Sequence, residues 1–129
     1  MFLDSLGKAP KDDAVSKSTA AAGAFVISLD FELHWGVRDR RTVADYKDNL
    51  LGARNVVPRL LDLFSRYKVH ATWATVGFLF FDSREALISG CPRRQPQYSL
   101  PKLSPYLNLE EIGPNEEHDC YHFAPSLIR

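Results

Sequence analysis

Apolar residues fall into a few distinct patterns along this chain, and each pattern predicts an element. From Ala24 to Leu29 they are nearly contiguous, short and β-rich behind Gly23, which predicts a buried strand. Val56, Val57, Leu60, Leu61, Phe64 and Tyr67 recur at three- and four-residue spacing, which predicts a helix. Pro58 limits where that helix begins. With Asn55 as the N-cap, Pro58 sits in the first turn, where its missing N–H is harmless; further in, it kinks the helix. His70 to Val76 reads as a second strand closed by Gly77, because Thr, Trp and Val suit a half-buried pleated surface. Phe78 to Ile88 reads as a short helix or a loop with an apolar edge. Pro92, Pro96, Pro101, Pro105 and Pro114 then predict no regular structure between Gly90 and Asn115. A loop that long in a compact domain is usually functional or disordered. Pro125 to Arg129 looks like a helix start, with proline at the first helical position.

Strand, helix, strand is the order of a βαβ unit, so the fold class expected is α/β with a parallel sheet. Two strands cannot cover both faces of such a sheet, so the chain reads as the opening part of a larger α/β domain. The first 22 residues carry Lys8, Lys11, Asp12, Asp13 and Lys17 and lack an apolar core segment. They read as a flexible leader rather than a signal peptide, which leaves residues 23–129 as the domain.

Composition adds three bounds. A chain of 129 residues, 45% hydrophobic, is one domain with a core. Sixteen basic and sixteen acidic residues leave no charge excess that would call for nucleic acid. No stretch is apolar enough to span a membrane, so a cytosolic (cytoplasmic) location is expected, with no membrane partner. Cys91 and Cys120 lack CxxC spacing. They read as free thiols in a reducing compartment, the alternative being a single long-range disulfide.

The candidate chemistry starts with Asp30 and Glu32, just past the first apolar run. Residues two apart in an extended segment project to one side. Two carboxylates held together there are costly unless a metal ion or a shared proton joins them. The competing reading has one of them capping a helix or pairing with Arg38 or Arg40. On the same loop, His34 reads as packed or exposed rather than as a ligand, and Trp35 as an apolar wall or a stacking face. Trp73 reads as core, or as a cleft wall. His118 and His122, four apart, would share a helix face and could clamp a metal. Pro114 and Pro125 argue against a helix there, so both read as surface histidines. The run Arg38 to Arg41 reads as a solvated loop. Ser28 and Ser126 lack a nucleophile-elbow context, and no glycine-rich phosphate loop is present.

Three segments together resemble the polysaccharide deacetylase (NodB-homology) family. They are Ser28-Leu29-Asp30-Phe31-Glu32-Leu33-His34-Trp35-Gly36, Asn49-Leu50-Leu51-Gly52-Ala53-Arg54, and His70-Ala71-Thr72-Trp73-Ala74-Thr75-Val76-Gly77-Phe78-Leu79-Phe80. Leu103-Ser104-Pro105-Tyr106 and Tyr121 to Ile128 look like one branch of it. The resemblance covers about Ala24 to Arg129. It implies the N-terminal portion of a distorted (β/α) barrel and removal of acetyl groups from carbohydrate, or hydrolysis of a related small amide. It implies Asp30 as the general base and Glu32 as a ligand of a divalent metal, zinc first among them. Trp35 and Trp73, read above as possible walls, are the substrate-cleft candidates beside Asp30 and Glu32.

The two histidines that complete the family's metal site belong after the helix starting near Pro125, and this chain stops first. His122 matches a non-ligand position of the branch. The resemblance therefore implies a chain that does not bind the metal tightly and is inactive alone. It also implies that exposed apolar surface drives self-association. Two other readings stay open: a non-catalytic truncated product, and a small metal-binding protein using Glu32 with His118 and His122.

Overall fold

A computed structural model describes residues 23–129; the leader expected over residues 1–22 lies outside the described residues. Strand β1 (Ser28–Phe31), helix α1 (Val43–Tyr67) and strand β2 (Thr72–Thr75) follow one another. The two strands pair in parallel, Ser28 with Thr72 through Phe31 with Thr75. The architecture is thus mixed helix and a small parallel sheet, in the α/β class. β1 starts later than its apolar run suggests. The Thr72 amide donates to the Ile27 carbonyl, and upstream of that bond Phe25 is 91% exposed. Apolar character without a partner strand does not make a strand.

Helix α1 begins well upstream of the expected start. Its first residue is Val43 and its N-cap is Thr42, not Asn55, which lies inside the helix. The physical reason is local. The Thr42 side chain accepts the Asp45 amide, and Asp45 places a carboxylate in the first turn, where the helix dipole favours it. Pro58 is therefore in the helix interior, where it offers no N–H to the carbonyl one turn back. Burial of Leu50 and Val57 stabilises the helix across that gap. The helix ends at Lys68 in the left-handed region, φ 53°.

The sheet has two unlike faces. Phe31, Trp73 and Thr75 line an apolar groove with Val57 and Leu61 of α1, and the Phe31 and Trp73 rings meet edge to face at 6.4 Å. By the two-residue alternation of strands, Ser28, Asp30, Thr72 and Ala74 point the other way, and all four are exposed.

The best-buried residues lie outside this unit. Leu79, Leu87 and Phe123 are fully buried. They come from a 3-10 turn (Gly77–Phe80), helix α2 (Arg84–Gly90) and an irregular segment ahead of helix α3 (Pro125–Ile128). Two short 3-10 turns, Pro101–Leu103 and Leu109–Glu111, are the regular pieces within the proline-rich loop. Arg54 ties α1 to this cluster: it donates to the Cys120 and Phe123 carbonyls and pairs with Glu116 at 2.5 Å. Glu116 in turn accepts from the Ser126 amide and hydroxyl. Both cysteines are free thiols. No helix among the described residues is long and apolar enough to cross a membrane.

Candidate functional site

Parallel strands end on the same side of a sheet, so the segments after β1 and β2 gather at one end. In open α/β sheets this carboxyl end is where ligands bind. Asp30 stands inside β1 rather than past it, and Glu32 follows the strand's last residue. Both are exposed and flank the buried Phe31. Among the described residues neither carboxylate is in an ion pair: Arg38 donates to the Pro105 and Leu107 carbonyls, and Arg40 pairs with Asp39. Glu32 occupies the N-cap position of the next turn but makes no capping bond. Gly36 permits the Glu32 conformation, since a Cβ at position 36 would collide with the Glu32 side chain.

Beyond Glu32 the chain turns sharply, with Leu33 at φ 48°, into a 3-10 turn, Leu33–Gly36. Trp35 is only 8% exposed. Its indole N–H donates to the His122 carbonyl at 2.9 Å, and the Arg38 guanidinium lies 5.2 Å from its ring centre. Trp35 borders an apolar cleft of about 340 Å³ with Val76, Gly77, Phe78 and Pro105. Trp73 lies on the helix-covered face instead and packs against the core, away from Asp30.

Behind Trp35 runs a buried polar chain. His34 Nε2 meets the Arg41 carbonyl at 2.9 Å, His34 Nδ1 meets His122 Nε2 at 2.8 Å, and His122 Nδ1 meets Asp119 Oδ2 at 2.8 Å. Asp119 also accepts the Gly113 and Tyr121 amides. Burial pushes the Asp119 carboxyl up, but the bonds from His122, Gly113 and Tyr121 outweigh it and hold the group below its ordinary range. Burial lowers the His34 imidazole, against the opposing effect of the Arg41 bond.

The surface reading holds for His118, which is exposed and bonded to Asn115. It fails for His122, which is buried at 9% exposure because Asp119 and His34 satisfy both ring nitrogens. His34 is buried in the same way. Only the Asp119-to-His122 spacing hints at this in sequence; the His34 partner is 88 residues away. Among the described residues no three His, Cys, Asp or Glu side chains converge as a metal-binding group. Comparisons with protein-family models, curated proteins and solved structures find no match.

Proposed function

We propose that residues 24–129 are the opening strand–helix–strand portion of a polysaccharide deacetylase-type barrel, a hydrolase acting on acetylated carbohydrate or a related small amide. One observation carries this reading: Asp30 points from the face of a parallel sheet that no helix covers among the described residues, near its carboxyl end, with Glu32 next in line and an apolar cleft at the same end. In a barrel, helices cover the outside and the helix-free face turns inward. Asp30 is the proton acceptor for the attacking water. Glu32 offers one carboxylate to a divalent metal, zinc in the first instance. The cleft beside Trp35 suits an apolar acyl group. A cytosolic location belongs to the same proposal.

A catalytic zinc site needs about three protein ligands and an open position. The described residues do not assemble such a set around Glu32, so no catalytic step is assigned to the metal. His34 and His122, the buried imidazoles, are engaged at both ring nitrogens. This favours a second reading for the 129 residues by themselves, that they are non-catalytic.

Two experiments separate these readings. Acetate release from acetylated chito-oligosaccharides with added zinc is expected to be absent for this chain; turnover that disappears in Asp30→Asn would contradict the non-catalytic reading. Sequencing the gene beyond codon 129 tests the family reading. An in-frame His-x-x-x-His after the α3 helix is expected, and a reading frame without it contradicts the proposal.

A further inference from the structure

The chain from Asp119 to Arg41 fixes a number of protons. A backbone carbonyl only accepts, so His34 Nε2 carries a proton toward Arg41. An ionised carboxylate only accepts, so His122 Nδ1 carries a proton toward Asp119. The 2.8 Å contact between His34 Nδ1 and His122 Nε2 needs one more, because two bare nitrogen lone pairs repel at that distance. Three ring protons are required, and two neutral imidazoles carry two. The pair therefore holds one positive charge.

Its location follows from the neighbours. His122 touches the Asp119 carboxylate, whereas His34 touches only a neutral carbonyl beyond the shared bond. The nearby cations do not supply a substitute. Arg38 lies over Trp35 and bonds the Pro105 and Leu107 carbonyls, with Glu111 as the acidic group that acts on it. Arg54 is paired with Glu116 and bonds the Cys120 and Phe123 carbonyls.

We propose that His122 is a buried imidazolium, clamped between Asp119 and His34, that latches the Leu33–Arg41 loop onto the 119–123 segment. The latch has further strands: the His34 amide donates to the Tyr121 carbonyl and the Trp35 indole to the His122 carbonyl. Loss of the His122 proton leaves two ring protons for three links, so one link opens. The loop that opens bears Trp35, at the rim of the cleft. This device is independent of the hydrolase reading and stands or falls apart from it.

Long-range nitrogen–proton spectra of the ¹⁵N-histidine-labelled chain test it near neutral pH, by magic-angle spinning where the chain self-associates. His122 is expected to be protonated on both nitrogens and His34 on Nε2 alone. A His122 with one ring proton overturns the proposal. Asp119→Asn is the second test. The Gly113 amide and His122 Nδ1 both donate to Asp119 Oδ2, so an asparagine that keeps the Gly113 bond still presents an oxygen to His122, and the variant removes the carboxylate charge while the three links still call for three protons. Without the carboxylate the buried charge has no counter-ion, so the variant is expected to carry a singly protonated His122 near neutral pH, with one link of the chain open and the Trp35 indole resonance shifted from its position in the parent. A doubly protonated His122 in that variant overturns the proposal.

Discussion

The strand–helix–strand unit and the turn cluster around Phe123 divide the molecule into a regular half and an irregular half, and burial favours the irregular one. Helix α1 has 25 residues, yet only Leu50 and Val57 are buried, while Val56, Leu61, Leu63 and Tyr67 are exposed. The irregular half supplies all three fully buried large side chains, Leu79, Leu87 and Phe123. It also anchors the buried His34–His122–Asp119 chain, and among the described residues no buried side-chain nitrogen or oxygen lacks a partner. Regular backbone and stable packing are thus separate properties here. The candidate carboxylates sit on the regular half, which the irregular half props through Arg54 and the His34 links.

Truncation should expose this difference most strongly. Phe123→Ala is expected to cost about 3–5 kcal/mol, the usual range for a fully buried phenylalanine. Leu61→Ala, on the exposed part of α1, is expected to cost about 1 kcal/mol or less. Chemical denaturation of both variants measures the contrast, and equal effects would break it.

Arg54→Ala is expected to cost roughly 2–3 kcal/mol, since it removes the cation paired with Glu116 and leaves two carbonyls without their donor at a poorly exposed site. The same denaturation curves check it. A loss no larger than that of Leu61→Ala would mean the two halves are not joined there.

Acid acts on the buried polar groups that join the two halves, His34 before the carboxylates. Asp119 and Glu116 both lie below their ordinary values of 3.8 and 4.5. For Glu116, burial raises the group, and the Ser126 and Arg54 bonds overcome it. A depressed carboxyl binds fewer protons folded than unfolded, so its stabilisation is present above the ordinary value and fades as pH falls through the folded value. Stability is expected to fall first below 6.5, where the unfolded His34 takes up a proton that the buried ring resists, and further below about 4.5; Asp119→Asn should flatten the lower step. A parent and variant with superimposable acid profiles would contradict it.

Strand, helix and strand are legible in the sequence because their patterns are local: apolar runs, three-and-four spacing and a closing glycine. The helix start is not, because Pro58 suggests a first turn, whereas the Thr42 cap and tertiary burial decide it. The irregular half is illegible for a different reason. Its bonds run from Arg38, Arg54, Arg84 and Asp119 side chains to backbone groups elsewhere in the chain, and such bonds leave no periodicity. Asp30, Glu32 and Trp35 stand out as candidates from sequence; the burial of His122 depends on a partner far away in the chain.

A small effect is also expected at the candidate site itself. Gly36→Ala should change stability by about 1 kcal/mol while displacing the exposed Glu32 side chain, whose atoms occupy the space of the new methyl. The Glu32 carboxyl ¹³C shift reports the displacement; an unchanged shift would mean that the two residues do not touch.

Native-state hydrogen exchange tests the central claim most directly, because it reads stability amide by amide. The Leu87, Phe123 and Ala124 amides are expected to exchange only through global unfolding, and the amides from Leu61 to Tyr67 through easier local opening. The reverse order, with the end of α1 as the slowest region and Phe123 among the fastest, would contradict the account.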